Sequence, residues 1–74
     1  MLSNFKYVEG DRTIISLSGV HLEFDYDTDR FSITLDNGNV FVVSNNSIIK
    51  EEHTDNSDYF ECLDGKKYYI ELVP

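Results

Sequence analysis

Residues 20–26, Val-His-Leu-Glu-Phe-Asp-Tyr, alternate strictly between apolar and polar side chains. Because successive side chains of a β-strand point to opposite faces, this alternation predicts a strand with one apolar face and one acidic, solvated face. The same residues in a helix would scatter the apolar side chains around its circumference. We therefore expect a β-sheet domain whose core lies under the apolar face of this strand.

Seven further short segments rich in β-branched and aromatic residues are separated by polar turns, and none has sustained helical periodicity. The predicted strands are 5–8, 13–17, 20–26, 31–35, 40–43, 48–52, 58–63 and 67–73. This pattern predicts a single all-β domain over residues 1–74. We expect a small antiparallel meander of about seven or eight strands that forms a closed barrel or a two-layer sandwich.

A serine–glycine dipeptide between the second and third predicted strands indicates a hairpin. Ser18-Gly19 as a two-residue turn pairs Leu17 with Val20 and keeps the apolar side chains of both strands on one face. A shift by one residue destroys that agreement, so the hydrophobic pattern supports this register.

Asn-Gly between alternating apolar segments is the strongest short-range hairpin signal in the chain. With Asn37-Gly38 as a two-residue turn, Val40 and Val42 point into the core, and Phe41 and Val43 lie on the opposite face. A strand that is apolar on both faces is usually covered on both sides. We expect the cover to be the protein's own chain, a second subunit or a partner.

The chain carries fourteen acidic residues against six basic ones, a net charge of −8. Such a surface repels nucleic acid and anionic lipid and favours a basic partner or simple solubility. No apolar segment approaches the ~20 residues of a membrane helix, so we expect no membrane association. Cys62 is the single cysteine, which excludes an internal disulfide and fits a reducing cytoplasm.

Two acidic segments contain residue types that bind metal ions. Asp25, Asp27 and Asp29 have the alternate spacing of a calcium loop, but Arg30 replaces its glycine and Asp36 replaces its bidentate glutamate. Residues 51–55 hold potential zinc ligands, yet the whole chain has only two histidines and one cysteine. Alternate carboxylates also arise on any solvated strand face. We therefore expect no metal and no cofactor.

The residue pattern does not favour an enzyme. Cys62 lies in an apolar, acidic context that does not activate a thiol, and neither histidine is paired with a nucleophile in the sequence. No glycine-rich phosphate loop is present. Tyr7, Phe41 and Tyr69 could stack on nucleic-acid bases, but the basic groove that single-strand binding requires is missing.

Protein–protein binding is the remaining function. Acidic residues on consecutive elements of a meander would gather into one surface that imitates a phosphate backbone, with a few apolar side chains as anchors. The predicted partner-binding residues are Glu23, Asp25, Asp27, Asp29, Asp36, Phe41, Val43 and Tyr69. The hypothesis is a non-enzymatic cytoplasmic inhibitor of a basic, nucleic-acid-handling protein.

In size, charge and class, the chain resembles small acidic phage-encoded inhibitors such as anti-CRISPR and anti-restriction proteins. No motif carries this resemblance. One alternative is a structural, self-assembling domain that forms a homodimer through residues 40–43. In another, the acidic surface serves only solubility.

Overall fold

In the computed structural model, which describes residues 2–74, the chain forms eight β-strands and one 3₁₀ turn. The prediction of an all-β fold with about seven or eight strands is confirmed, since the chain has eight. Within residues 2–74, no helix is long and apolar enough to cross a bilayer. The elements are β1 (Ser3–Glu9), β2 (Arg12–Val20), β3 (Leu22–Tyr26), β4 (Arg30–Leu35), β5 (Val40–Ser44), the 3₁₀ turn (Asn45–Ser47), β6 (Ile48–His53), β7 (Ser57–Cys62) and β8 (Lys66–Leu72).

The strands form two antiparallel sheets with open edges. The larger sheet has the order β2-β1-β8-β7-β6, and the smaller has the order β3-β4-β5. The architecture is therefore sandwich-like and not a closed barrel. The chain passes between sheets at His21 and at the 3₁₀ turn, and the two terminal strands β1 and β8 pair with each other. These features interrupt the continuous meander that the sequence predicted.

One hydrophobic core joins the two sheets. The Phe41 ring on β5 lies 5.2 Å from Phe5 and 5.0 Å from Tyr7 on β1, and Phe31 on β4 lies 4.9 Å from Phe60 on β7, measured between ring centroids. Fully burying one large apolar side chain contributes roughly 1.5–3 kcal/mol. These contacts bury one face of the three-stranded sheet.

The predicted hairpin at Ser18-Gly19 is wrong. Gly19 lies inside β2 with φ of 65°, where the pairing with β1 shifts register, and its N–H donates to Asn4 Oδ1 at 3.2 Å. Leu17 pairs with Phe5 on β1, not with Val20. A glycine with positive φ serves a β-bulge as readily as a hairpin turn, and here it precedes the passage of the chain to the other sheet.

The turn between β4 and β5 is longer than the predicted Asn37-Gly38 dipeptide. The Gly38 N–H donates to the Leu35 carbonyl at 3.0 Å, and the Leu35 N–H donates to the Asn39 carbonyl at 2.8 Å. Thr34 therefore pairs with Val40, one residue away from the predicted register.

This one-residue shift reverses the faces of β5, because strand side chains alternate. Val43 is 2% exposed and Phe41 packs against the core, whereas Val40 is 54% and Val42 59% exposed. The predicted placement of Val40 and Val42 in the core and of Phe41 and Val43 outside it is wrong.

Candidate protein-binding face of the three-stranded sheet

We call the face of the three-stranded sheet that points away from the core the outer face. Over most of this face, each strand contributes one kind of side chain: carboxylates from β3, hydroxyls from β4 and valines from β5. The strand pairing places these side chains in two cross-strand rows of the same composition. The cross-strand rows are Glu23–Thr34–Val40 and Asp25–Ser32–Val42. At one end of β4, Arg30 lies on the same face and pairs with Ser44.

Five exposed carboxylates lie on β3, in the turn that follows it, and in the β4–β5 turn beside its start. Asp36 lies at the start of the strand, where its Oδ2 accepts a hydrogen bond from the His21 N–H at 3.3 Å. Within β3, alternate residues stand about 6.6 Å apart, which sets the spacing of Glu23 and Asp25, and the other three carboxylates lie in turns. We call this set the acidic row: Asp36, Glu23, Asp25, Asp27 and Asp29. The structure thus brings together all five acidic residues that the sequence predicted as a site.

No residue of the acidic row forms an ion pair with residues 2–74. The four ion pairs in that range all belong to the five-stranded sheet and its turns, for example Lys50 with Glu52 at 3.6 Å and Lys66 with Asp64 at 3.4 Å. Five of the six basic residues also lie on that sheet, which leaves Arg30 as the one base in the segment 21–47. The acidic row therefore presents net negative charge, with Arg30, which lies near Asp27, as the one Lys or Arg of its sheet.

The turn after β3 keeps Asp27 ionised. The Thr28 N–H and hydroxyl both donate to Asp27 Oδ1, at 2.8 and 3.2 Å. These hydrogen bonds, and then the nearby Arg30, lower the pKa of the Asp27 carboxyl. The Asp27 N–H also donates to the Arg30 carbonyl at 2.8 Å, which closes the turn. The local structure thus fixes one charge of the acidic row at a defined position.

A shallow groove of about 440 Å³ lies on the outer face over the short side chain of Ser32. Asp25 and Asp27 form one side of the groove, Val40 and Val42 lie on the other, and Arg30 also lines it. Because Ser32 is short, the groove is open above it to a large side chain or a helix. It offers acidic and apolar contacts side by side.

The three apolar residues of the predicted site lie elsewhere. Val43 and Phe41 belong to the core. Tyr69 lies on the outward face of the other sheet, where its ring centroid is 4.8 Å from that of Tyr59 and 4.4 Å from Lys6 Nζ. The structure therefore does not bring these three to the acidic row. The exposed valines that do lie beside it were missed because the β5 register was predicted one residue out.

His53 lies between two carboxylates at the end of the β6–β7 hairpin. Its Nδ1 is 2.7 Å from Asp58 Oδ1, and its Nε2 is 3.5 Å from Glu51 Oε1. The hydrogen bond to Asp58 is the main cause that raises the pKa of His53. The carboxylates bind different ring nitrogens, so they lie on different sides of the imidazole and do not converge on one point. Within residues 2–74, no group of three or more His, Cys, Asp or Glu side chains could hold a metal ion.

No family model, curated protein or solved structure is significantly similar to this chain. Function must therefore be inferred from its geometry and charge.

Proposed function

We propose that the protein is a non-enzymatic binding module that holds a basic partner protein against the acidic row. The observation that supports this proposal is that five exposed carboxylates, two on the edge strand β3 and three in the turns beside it, have no ion-pair partner among residues 2–74. A basic groove supplies the missing counter-charges. Each exposed pair contributes only ~0.2–1 kcal/mol, but several pairs add together and accelerate encounter.

The proposed partner handles nucleic acid, and the proposed effect is inhibition. Carboxylates gathered along β3 and the turns beside it imitate the negative charge of a phosphate backbone, so a groove that binds nucleic acid also accepts the acidic row. The module competes with nucleic acid because both would occupy the same groove of the partner, and the net charge of −8 keeps the module from binding nucleic acid itself. This function fits a phage-type inhibitor such as an anti-CRISPR or anti-restriction protein. The proposed compartment is the cytoplasm, where the unpaired Cys62 stays reduced.

Self-association is a second candidate function. β5 is an edge strand without a charged residue, and its Val40 and Val42 are more than half exposed. Uncharged apolar edges are suited to pairing with another chain. Sedimentation across a concentration series tests this candidate. A monomer at every concentration contradicts it.

Capture from a nuclease-treated bacterial lysate tests the main proposal. Three baits are compared: the parent, a row variant (Glu23→Gln, Asp25→Asn, Asp27→Asn) and a control variant of equal net charge (Asp11→Asn, Glu52→Gln, Asp55→Asn). The control positions are exposed and lie outside the acidic row. Mass spectrometry identifies the retained proteins.

The proposal expects a basic protein that the parent and the control variant retain and the row variant loses. DNA or RNA should release that protein from the parent, and the parent should inhibit its activity on nucleic acid. Equal retention by all three baits contradicts a role for the acidic row. Retention that nucleic acid does not affect contradicts the competition mechanism.

A further inference from the structure

We infer that the outer face binds an amphipathic helix of the partner, with basic side chains on one flank and apolar side chains on the other. This inference rests on the proposed function, because it identifies the partner segment that lies beside the acidic row. Its basis is the repeated order of carboxylate, hydroxyl and valine across the outer face.

The dimensions of the outer face match those of a helix. Neighbouring strands lie about 4.8 Å apart, so the carboxylates of β3 and the valines of β5 are separated by about 10 Å. An α-helix with its side chains is ~10–12 Å wide. The two cross-strand rows are about 6.6 Å apart along the strands, which is close to the ~6 Å rise of four helical residues. A helix parallel to the strands thus places a basic residue near Glu23 or Asp25 and an apolar one near Val40 or Val42.

The central strand leaves room for the helix. Ser32 and Thr34 are the outward residues in the middle of β4, and both are short and only partly buried, while Arg30 lies on the same face at one end of the strand. The groove of about 440 Å³ follows from this low centre between the acidic side and the valine side. A helix packed on one face of an antiparallel sheet is a common layer arrangement.

Two other occupants fit the charge pattern less well. An extended segment added to the edge of β5 would lie in the plane of the sheet, about 14 Å from β3, and would leave the acidic row unpaired. A second copy of this chain brings the same five carboxylates with the single Arg30, and like charges then approach each other. A basic, amphipathic helix complements both the acidic row and the exposed valines of β5.

Three synthetic peptides of about 18 residues, roughly five helical turns, provide the test. The first has leucines in an i, i+4 pattern and lysines on the adjoining flank. The second has the same composition in shuffled order. The third has alanines in place of the leucines. Fluorescence anisotropy gives the affinities, and amide chemical shifts of the labelled protein locate the contact.

The first peptide should bind at least about tenfold more tightly than the other two, since it alone buries apolar side chains in register with the valines. Its shift changes should map to β3, β4 and β5. Val40→Thr with Val42→Thr keeps side-chain shape and strand propensity, and a dispersed amide spectrum checks that this variant is folded. This variant should remove the advantage of the first peptide and leave the binding of the leucine-free peptide unchanged.

The negative results of these experiments lead to different conclusions. If the first and third peptides bind equally, and both lose affinity for the row variant, the helix inference is overturned while the proposed function stands. If no peptide depends on the acidic row, the proposed function fails as well. If the protein alone sediments as a dimer that Val40→Thr with Val42→Thr dissociates, a second copy occupies the outer face and the helix inference is overturned.

Discussion

The side chains of Val42 and Val43 point to opposite faces of β5, and this difference allows a direct test of the strand register. Val43 is 2% exposed and Val42 is 59% exposed. Replacing each by alanine removes the same atoms. For Val43→Ala, the lost transfer free energy of about 0.8 kcal/mol per methylene and the cavity left behind give a cost of about 2 kcal/mol. For Val42→Ala, the change in strand propensity limits the cost to less than ~1 kcal/mol.

Urea unfolding followed by far-ultraviolet circular dichroism measures both costs. With a slope near 1 kcal/mol per molar urea for so small a domain, the midpoint of Val43→Ala should fall by about 2 M. Val42→Ala should stay within about 1 M of the parent. The two-residue turn at Asn37-Gly38 would bury Val42 and expose Val43, so it predicts the opposite ranking. A larger loss of stability for Val42→Ala would refute the register described above.

Three further predictions follow from single contacts. Phe41→Glu should unfold the domain, because its ring lies 5.0–5.2 Å from Tyr7 and Phe5 in the core; a folded variant with native dispersion contradicts this placement. Cys62, 3% exposed, should react with a thiol reagent only in denaturant, and rapid labelling of the native protein contradicts its burial. Asp58→Asn should lower the pKa of His53 measured by NMR titration, because it weakens the 2.7 Å contact. Since the pKa of His53 is raised on folding, its contact with Asp58 stabilises the folded state below about pH 6.5, and this stabilisation is lost as the pH rises through the folded pKa. An unchanged pKa in the variant contradicts the assignment.

Local patterns were sufficient to predict most strands. The alternation of residues 20–26 and of 31–35 follows directly from which face of each strand is buried, and the structure places β3 at Leu22–Tyr26 and β4 at Arg30–Leu35. The acidic row was predicted for the same reason, because its members alternate with core residues along β3 or lie in the turns beside it.

The pairing of strands was less predictable because it depends on single residues in turns. Gly19 has the positive φ of a hairpin glycine, yet it occupies a bulge held by the Asn4 side chain. The loop after Leu35 is longer than its Asn-Gly signal suggests, so the exposed valines were assigned to the core. The pairing of β1 with β8 joins the two ends of the chain, and no local pattern encodes such a contact.

Calorimetry at low and at physiological salt tests the central claim most directly. It measures the affinity of the captured partner for the parent, the row variant and the control variant. The proposed function predicts that the row variant binds at least about tenfold more weakly, equivalent to about 1.4 kcal/mol, while the control variant matches the parent. The affinity of the parent should fall steeply with added salt. The melting temperature of the row variant should be unchanged or higher, since like-charge repulsion is relieved. If the row variant binds as tightly as the parent, the acidic row serves solubility and the partner contacts another surface.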